Sequence, residues 1–165
     1  YNKISPVKML GNVVSYKPRV LFCCKAIIEN MSDDRKMIVL SERKSLLYDI
    51  HTVLSETPDF KYTMGFYVGG MTQKKLEESS STQIILGSNS MLAEGYDNQL
   101  LNSIILVSPM GEIEQQIGRI LRLQKENRKV KPLVIDIVDN FSIFINRFNK
   151  RKAYYSKNNY NIIIP

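Results

Sequence analysis

The sequence is poor in cysteine and lacks long apolar runs and two common nucleotide-binding motifs. Its only cysteines, Cys23 and Cys24, are adjacent, which disfavours a disulfide between them, and they lack the spaced partners of a zinc site. We expect two buried thiols in a reducing, intracellular compartment. No apolar run is long enough to cross a bilayer, and no signal peptide is recognisable. A Gly-x-x-x-x-Gly-Lys-Ser/Thr phosphate loop and an Asp-Glu-x-Asp/His metal-binding box are also absent, so we expect no metal ligands here.

Positive charge is abundant and unevenly distributed. The 165 residues carry a net charge of +7, and 44% of them are hydrophobic, which suffices for the core of one domain. From Arg119 to the C-terminus there are 11 Lys/Arg and 3 Asp/Glu, whereas residues 1–118 hold 12 and 13. This excess favours an anionic partner that binds at or after Arg119. Because the chain begins with Tyr1, we expect it to be a piece of a longer protein.

Short apolar runs alternate with segments of helical periodicity along most of the chain. Strands are predicted at residues 37–40, 62–68, 82–86, 103–107 and 133–138. Helices are predicted at residues 19–30, 46–54, 72–79 and 112–123, with a final helix that turns Phe141, Ile145 and Phe148 inward. Continuous apolar strands that alternate with helices predict an α/β fold, in which helices cover both faces of a parallel sheet.

Proline, glycine and charge divide the chain into three predicted regions. Residues 1–18 contain Pro6, Gly11 and Pro18, so we expect an irregular lead-in segment there. Residues 19–150 are predicted to form the domain, and residues 151–165 a basic, tyrosine-rich tail. Two interpretations of the tail stay open: a contact with a nucleic-acid strand, or a solvated helix followed by a loose end.

Polar and flexible residues follow several of the predicted strands. Ligands of open parallel sheets bind at the carboxyl ends of the strands, so these residues predict a binding edge. They are Ser41, Arg43, Gly69, Gly70, Ser88, Asn89, Ser90 and Ser108.

The segment Gln115-x-x-Gly118-Arg119-x-x-Arg122 carries the strongest chemical signal. Its two arginines are three residues apart, which places both guanidinium groups on one face of the predicted helix. Two forked cations can neutralise charge that builds up on a phosphate. Gly118 permits a close approach, and the Gln115 amide can donate and accept hydrogen bonds. The alternative is a solvated amphipathic helix with surface arginines.

A second polar segment, residues 87–97, reads Gly-Ser-Asn-Ser-Met-Leu-Ala-Glu-Gly-Tyr-Asp and follows a predicted strand. Hydroxyl groups and backbone N–H groups in such a turn can hold the phosphates of a nucleic-acid backbone. Gly95 permits close approach, and Asp97 can accept from a sugar hydroxyl or orient an arginine. The alternative is an ordinary loop in which Asp97 caps a helix or stabilises a turn.

Together these segments resemble motifs of superfamily 2 helicases. The Gln115–Arg122 segment is similar to the sixth motif, residues 87–97 to the fifth and residues 36–43 to the fourth. The resemblance covers residues 19–140 and is to the second RecA-like lobe. The motif sequences are closer to those of DNA-directed members than to those of the RNA-directed DEAD-box branch. They are most similar to the motifs of helicases of large DNA viruses and of phage branch-migration helicases. The motif position that is usually threonine corresponds to Ser88 or Asn89 in this chain.

The resemblance implies a RecA-like sheet of the P-loop NTPase type whose phosphate loop lies in a preceding lobe. That lobe would hold most of ATP and Mg²⁺, so the fragment alone is expected to be inactive. DNA is the more expected partner than RNA, no membrane is involved, and a viral source implies the host cytoplasm or the virion.

The resemblance also implies residue roles. Arg122 is expected to be the arginine finger, and Arg119 to support the γ-phosphate or an acidic residue of the other lobe. Gln115 is expected to help sense the nucleotide or the contact between the lobes. The implied nucleotide-binding residues are Glu94, Gly95, Asp97 and Gly118. The implied nucleic-acid groove consists of Ser41, Arg43, Gly69, Gly70, Ser88, Asn89 and Ser90.

Two alternatives come from other classes of protein. The first is a non-catalytic nucleic-acid-binding module with a helicase-like fold. The second is an unrelated parallel α/β protein, such as a small-molecule phosphatase or receiver domain. That class needs a nucleophile at a strand end, and Asp136, the one strand-borne aspartate of this kind, shows no partners in the sequence.

Overall fold

The computed structural model of the chain describes residues 5–93, 96, 98–111, 113–120 and 125–164. Five strands alternate with helices, as the apolar pattern predicts. The strands are β1 (Met37–Ser41), β2 (Met64–Tyr67), β3 (Ile84–Ser88), β4 (Ser103–Leu106) and β5 (Leu133–Asp136). The helices are α1 (Pro6–Ser15), α2 (Lys17–Asn30), α3 (Lys44–Glu56), α4 (Gln73–Ser81), α5 (Asn89–Ala93), α6 (Glu114–Ile120) and α7 (Ser142–Lys157).

The strands form one parallel sheet in the order β2-β3-β1-β4-β5. The three inner strands are buried along their whole length, which explains their continuous apolar sequences. In the register, Ser41 pairs with Ser88 and Leu106 pairs with Asp136. The carboxyl ends of the strands therefore meet at one edge, and the predicted α/β fold with a parallel sheet is confirmed.

Helices cover both faces of the sheet, because neighbouring residues of β1 enter different cores. Met37 and Val39 pack in the core that includes residues of α1, α2 and α3. Ile38 and Leu40 pack in the other core, with Leu92 of α5 and residues of α6. This alternation follows from the two-residue period of a strand.

The expectation of an irregular segment at residues 1–18 was wrong for residues 6–15, which form α1. Pro6 lies in the first turn of α1 and Pro18 in the first turn of α2. Proline is tolerated there because the first N–H groups of a helix have no partner within the helix. Gly11 lies inside α1 despite its low helix propensity.

The helix α7 crosses the predicted boundary between domain and tail. It runs unbroken to Lys157, and Arg151 and Tyr155 are buried with exposed fractions of 1% and 6%. Residues 151–157 thus belong to the packed domain. The predicted inward face was also wrong in part, because Phe141 is half exposed whereas Phe144 is buried. Helical periodicity alone did not distinguish the two phenylalanines, which lie three residues apart.

Candidate functional site

The two predicted motifs lie side by side, because α6 packs against α5. The side-chain Nε2 of Gln116 donates to Oδ1 of Asn89 at 2.6 Å, and Nη2 of Arg119 donates to the carbonyl oxygen of Leu92 at 2.5 Å. In each helix the two bonded residues are three apart, so they form facing stripes. Arg119 is only 7% exposed. The first arginine of the motif thus holds α6 against α5.

Within α6, the structure separates the two glutamines that follow Glu114. Gln115, which the sequence singled out, is exposed, whereas Gln116 is buried and makes the bond to α5. Sequence reasoning missed Gln116, although its spacing of three residues from Arg119 was a usable signal. Gly118 is exposed, and no described residue would lie within 4 Å of a Cβ atom added there. In the described part of the chain, the space over Gly118 is therefore open.

Four of the predicted site residues lie outside the described residues: Arg122, Glu94, Gly95 and Asp97. Their predicted roles stay predictions.

The predicted groove residues after β1 form a closed turn. The hydroxyl of Ser41 accepts from the Arg43 backbone N–H and donates to the Arg43 carbonyl oxygen, both at 2.9 Å. Ser41 is fully buried, so its hydroxyl shapes the turn. Arg43 precedes α3 and is half-buried, and its Nε is buried without a hydrogen-bond partner among the described residues. A buried donor of this kind is costly unless a partner reaches it.

The predicted residues after β2 and β3 lie around the start of α5. The Lys44 ammonium donates to the Gly69 carbonyl oxygen at 2.7 Å, and Gly70 has a φ of +93°, which favours glycine. Ser90 is exposed on α5. A Cβ atom at Gly69 would lie 3.5 Å from the Lys44 ammonium and 3.8 Å from the Met91 sulfur. Lys44 is thus a cation at this edge that sequence reasoning missed.

Ser88 and Asn89 contribute differently to the same edge. Ser88 is 6% exposed, and its hydroxyl lies 3.5 Å from that of Ser90. Asn89 is half-buried and uses its side-chain oxygen to bind Gln116. In residues 88–90, Ser90 therefore faces outward, while Asn89 connects this segment to α6.

Two cavities lie beside this edge. The larger, of about 900 Å³, is lined by the start of α6, by Asn89 and Glu42, and by basic residues and Tyr154 of α7. The smaller, of about 190 Å³, is lined by α1, Glu42, Arg43 and Arg147. Glu42 and Arg147 line both cavities.

Asp136 has partners that the sequence did not reveal. The Arg151 guanidinium binds both of its carboxylate oxygens at 2.8 Å, and the Tyr155 hydroxyl donates to it at 3.0 Å. Burial and the Asp136 charge raise the pKa of Tyr155 above its usual range. The expectation that Asp136 lacks partners was wrong. Its carboxylate is saturated, which argues against the nucleophile that a phosphatase or receiver domain needs.

Cys23 and Cys24 are buried free thiols, as predicted. Burial raises the pKa of Cys23 to about 11 and that of Cys24 to about 12, so both are poor nucleophiles. Among the described residues, no group of His, Cys, Asp and Glu side chains is arranged to hold a metal ion. In the same part of the chain, no helix is both long and apolar enough to cross a bilayer.

No protein-family model matches the chain. It is 36% identical over 162 residues, or 98% of its length, to L396 of Acanthamoeba polyphaga mimivirus. It is 29% identical over 133 residues, or 76% of its length, to QP509L of African swine fever virus, Kenya isolate. Both are provisionally named as ATP-dependent RNA helicases. The chain spans 31% of L396 and 26% of QP509L.

Solved structures show the same fold at low sequence identity. The T4 UvsW structure superposes with a TM-score of 0.74 and 17% identity, covering 98% of this chain and 37% of that one. The C-terminal domain of the DEAD-box protein Dbp5 superposes with a TM-score of 0.61 and 14% identity, covering 86% and 78%. The chain thus has the fold of a helicase C-terminal RecA-like lobe. Its resemblance to the helicases of large DNA viruses is confirmed by the viral relatives.

Proposed function

We propose that the chain is the C-terminal lobe of an ATP-dependent superfamily 2 helicase or translocase that moves along nucleic acid. The observation that carries this proposal is the bonding of α6 to α5, through Gln116 to Asn89 and Arg119 to Leu92. It joins the segment proposed to contact nucleic acid to the segment that carries the two arginines. A motor needs such a connection, because hydrolysis must be coupled to the grip on the strand.

The proposed contacts of the lobe with the nucleotide are assigned mainly to the two arginines. We assign the arginine finger to Arg122, and because Arg119 bonds to the α5 backbone we assign it to holding the helix in place and supporting the γ-phosphate side. Guanidinium groups stabilise charge in phosphoryl transfer, which is worth about 10³–10⁵ in rate in other NTPases. Exposed Gln115 and the open space over Gly118 fit contact with the preceding lobe. Glu94, Gly95 and Asp97 are proposed near the nucleotide.

ATP with Mg²⁺ would be held mainly by that preceding lobe, since this chain lacks a phosphate loop and a metal-binding box. The site forms at the junction of the two lobes, so the isolated chain is proposed to be inactive. ATP binding would close the lobes and hydrolysis would open them.

The nucleic-acid groove would run along the carboxyl edge of the sheet. Lys44 and Ser90 are exposed there. The buried Nε of Arg43, which no described residue binds, is suited to an anionic partner. Ser41 and Ser88 are buried, so we assign them to shaping the turns, with Gly69, Gly70 and Asn89 completing the edge. Contacts to phosphate and sugar carry little base specificity. The sequences of the motifs favour DNA as the nucleic acid, whereas the names of both viral relatives specify RNA.

The test is the ATPase activity of the full-length protein with single-stranded DNA, duplex DNA or RNA, comparing wild type with Arg122→Ala. We expect kcat to fall by about two or more orders of magnitude, with nucleic-acid binding retained. Lys129→Ala is the matched control, because Lys129 is 79% exposed and pairs with Asp34 before β1, at the opposite edge of the sheet. The strongest activator identifies the track.

Unchanged hydrolysis in Arg122→Ala would remove the arginine finger from the proposal. Tight nucleic-acid binding without stimulated hydrolysis in the wild type would favour the alternative, a non-catalytic binding module. Equal losses in Arg122→Ala and Lys129→Ala would indicate a general charge effect.

A further inference from the structure

The loop that connects β4 to α6 is anchored at four consecutive residues. We call residues 107–110 the lead loop, because they lead into the helix that carries Arg119. All four residues are buried. Each of the four accepts a hydrogen bond from a different donor. Arg19 donates to the Val107 carbonyl oxygen at 2.7 Å, and the Glu42 backbone N–H donates to the Ser108 hydroxyl at 2.9 Å. Arg147 donates to the Pro109 carbonyl oxygen at 2.5 Å, and Arg151 donates to the Met110 carbonyl oxygen.

Each of the three arginines also faces a carboxylate, but one pair differs from the other two. Arg19 with Asp139 and Arg151 with Asp136 form double hydrogen bonds at 2.6 to 2.8 Å and are nearly buried. The pair of Arg147 and Glu42 is longer, at 3.5 Å, and its side chains are 33% and 31% exposed. Partly exposed pairs of this kind are weak and break easily. Arg147 is therefore the anchor of the lead loop that can most readily be altered.

Glu42 lies between Ser41 and Arg43, in the turn proposed to contact nucleic acid. This turn reaches the lead loop twice, through the Glu42 backbone N–H on Ser108 and through the Glu42 carboxylate beside Arg147. Arg147 in turn binds Pro109. The turn and the lead loop are thus joined by two adjacent contacts.

We propose that Arg147 is a positioning residue that couples occupancy of the nucleic-acid groove to the placement of α6. This inference rests on the proposed helicase function. A phosphate beside the Ser41–Arg43 turn changes the electrostatic environment of Glu42, and Arg147 conveys the change to Pro109. The stimulation of ATP hydrolysis by nucleic acid then depends on Arg147 through its contact with the Pro109 carbonyl oxygen.

The test uses the full-length protein and measures the ratio of nucleic-acid-stimulated to basal kcat. A fluorescently labelled oligonucleotide, of the nucleic acid that activates best, gives Kd by anisotropy. We expect Arg147→Ala to lower the stimulation ratio about ten-fold while Kd changes less than about three-fold, because one anchor of the lead loop is lost. Arg147→Lys should recover part of the stimulation, since an ammonium can reach one of the two partners.

Two further variants sharpen the result. Glu42→Gln removes the charge that faces Arg147 and should lower stimulation in the same direction, by about three-fold. Lys25→Ala, the matched control, removes one partner of an exposed ion pair on α2 and should leave the ratio within about two-fold. If Arg147→Ala fails to fold, as judged by its Tm, Glu42→Gln decides.

Unchanged stimulation in Arg147→Ala and Glu42→Gln, with an active wild type, would overturn the inference and leave the proposed function intact. A ten-fold rise in Kd with normal kcat at saturation would also overturn it, because Arg147 would then be a direct phosphate contact. A wild type that no nucleic acid stimulates would overturn the proposed function and the inference together.

Discussion

The ion pairs at the two edges of the sheet differ in burial. At the amino edge, Lys61 pairs with Asp33 and Lys129 with Asp34, and all four side chains are more than half exposed. At the carboxyl edge, Arg19 and Arg151 are buried against carboxylates and backbone carbonyl groups. A buried pair is costly unless every donor and acceptor is satisfied, so it fixes one geometry. The contrast locates the edge at which geometry is constrained, and it is the edge where the helicase-like motifs lie.

The largest expected effect comes from breaking a buried pair at the carboxyl edge. Arg151→Leu leaves the Tyr155 hydroxyl as the one described side-chain partner of the Asp136 carboxylate. The free energy of unfolding should therefore fall by about 3–5 kcal/mol. Urea denaturation followed by circular dichroism measures this loss. The double variant Arg151→Leu with Asp136→Leu should recover much of it, because no charge remains unpaired. A double variant as unstable as the single one would mean that packing, and not charge, dominates.

High pH should destabilise the protein through two buried phenols. The pKa of Tyr155 is raised by burial and by Asp136 above the usual value of 10.0, and burial raises that of Tyr96 to about 12. Their phenols ionise first in the unfolded chain, so stability is intact below pH 10 and is lost as pH rises above it. The free energy of unfolding should fall by about 1.4 kcal/mol per pH unit for each phenol. Tyr155→Phe should make this slope shallower, and an unchanged slope would contradict the assignment.

A smaller effect is expected where α6 meets α5. Gln116→Ala removes the bond to Asn89, which should cost about 1 kcal/mol of stability. Because the bond is proposed to orient α6, stimulated kcat should also fall, by several-fold. Gln115→Ala, an exposed neighbour, serves as the structural comparison in unfolding experiments. Equal losses of stability in the two variants would mean that the Gln116–Asn89 bond does not stabilise the contact between α6 and α5.

The smallest effect is expected at the amino edge. Lys129→Ala removes one partner of an exposed pair and should change the free energy of unfolding by no more than about 0.5 kcal/mol, since solvent and salt screen such pairs. A loss comparable to that of Arg151→Leu would abolish the contrast between the edges.

Much of the fold was predictable from local pattern. Apolar runs such as 37–40 identified the strands because parallel strands buried on both faces must be apolar along their length. The prediction of an irregular lead-in segment was wrong because Pro6 and Pro18 were interpreted as helix breakers, although proline is favoured in the first turn of a helix. Of the site, the spacing of Gln115, Gly118 and Arg119 was visible, but the contact of Gln116 with Asn89 joins residues 27 apart in sequence.

The sequence by itself determined the alternation of strands and helices, the parallel sheet and the arginine motif, since these depend on residue period and spacing within short segments. Only the tertiary structure decided that Asp136 is saturated by Arg151 and Tyr155, and that donors from α2, α7 and the turn after β1 converge on the lead loop. These contacts join residues up to 88 positions apart. Nothing in a local pattern specifies which distant arginine will meet which carbonyl, because that is fixed by how the helices pack on the sheet.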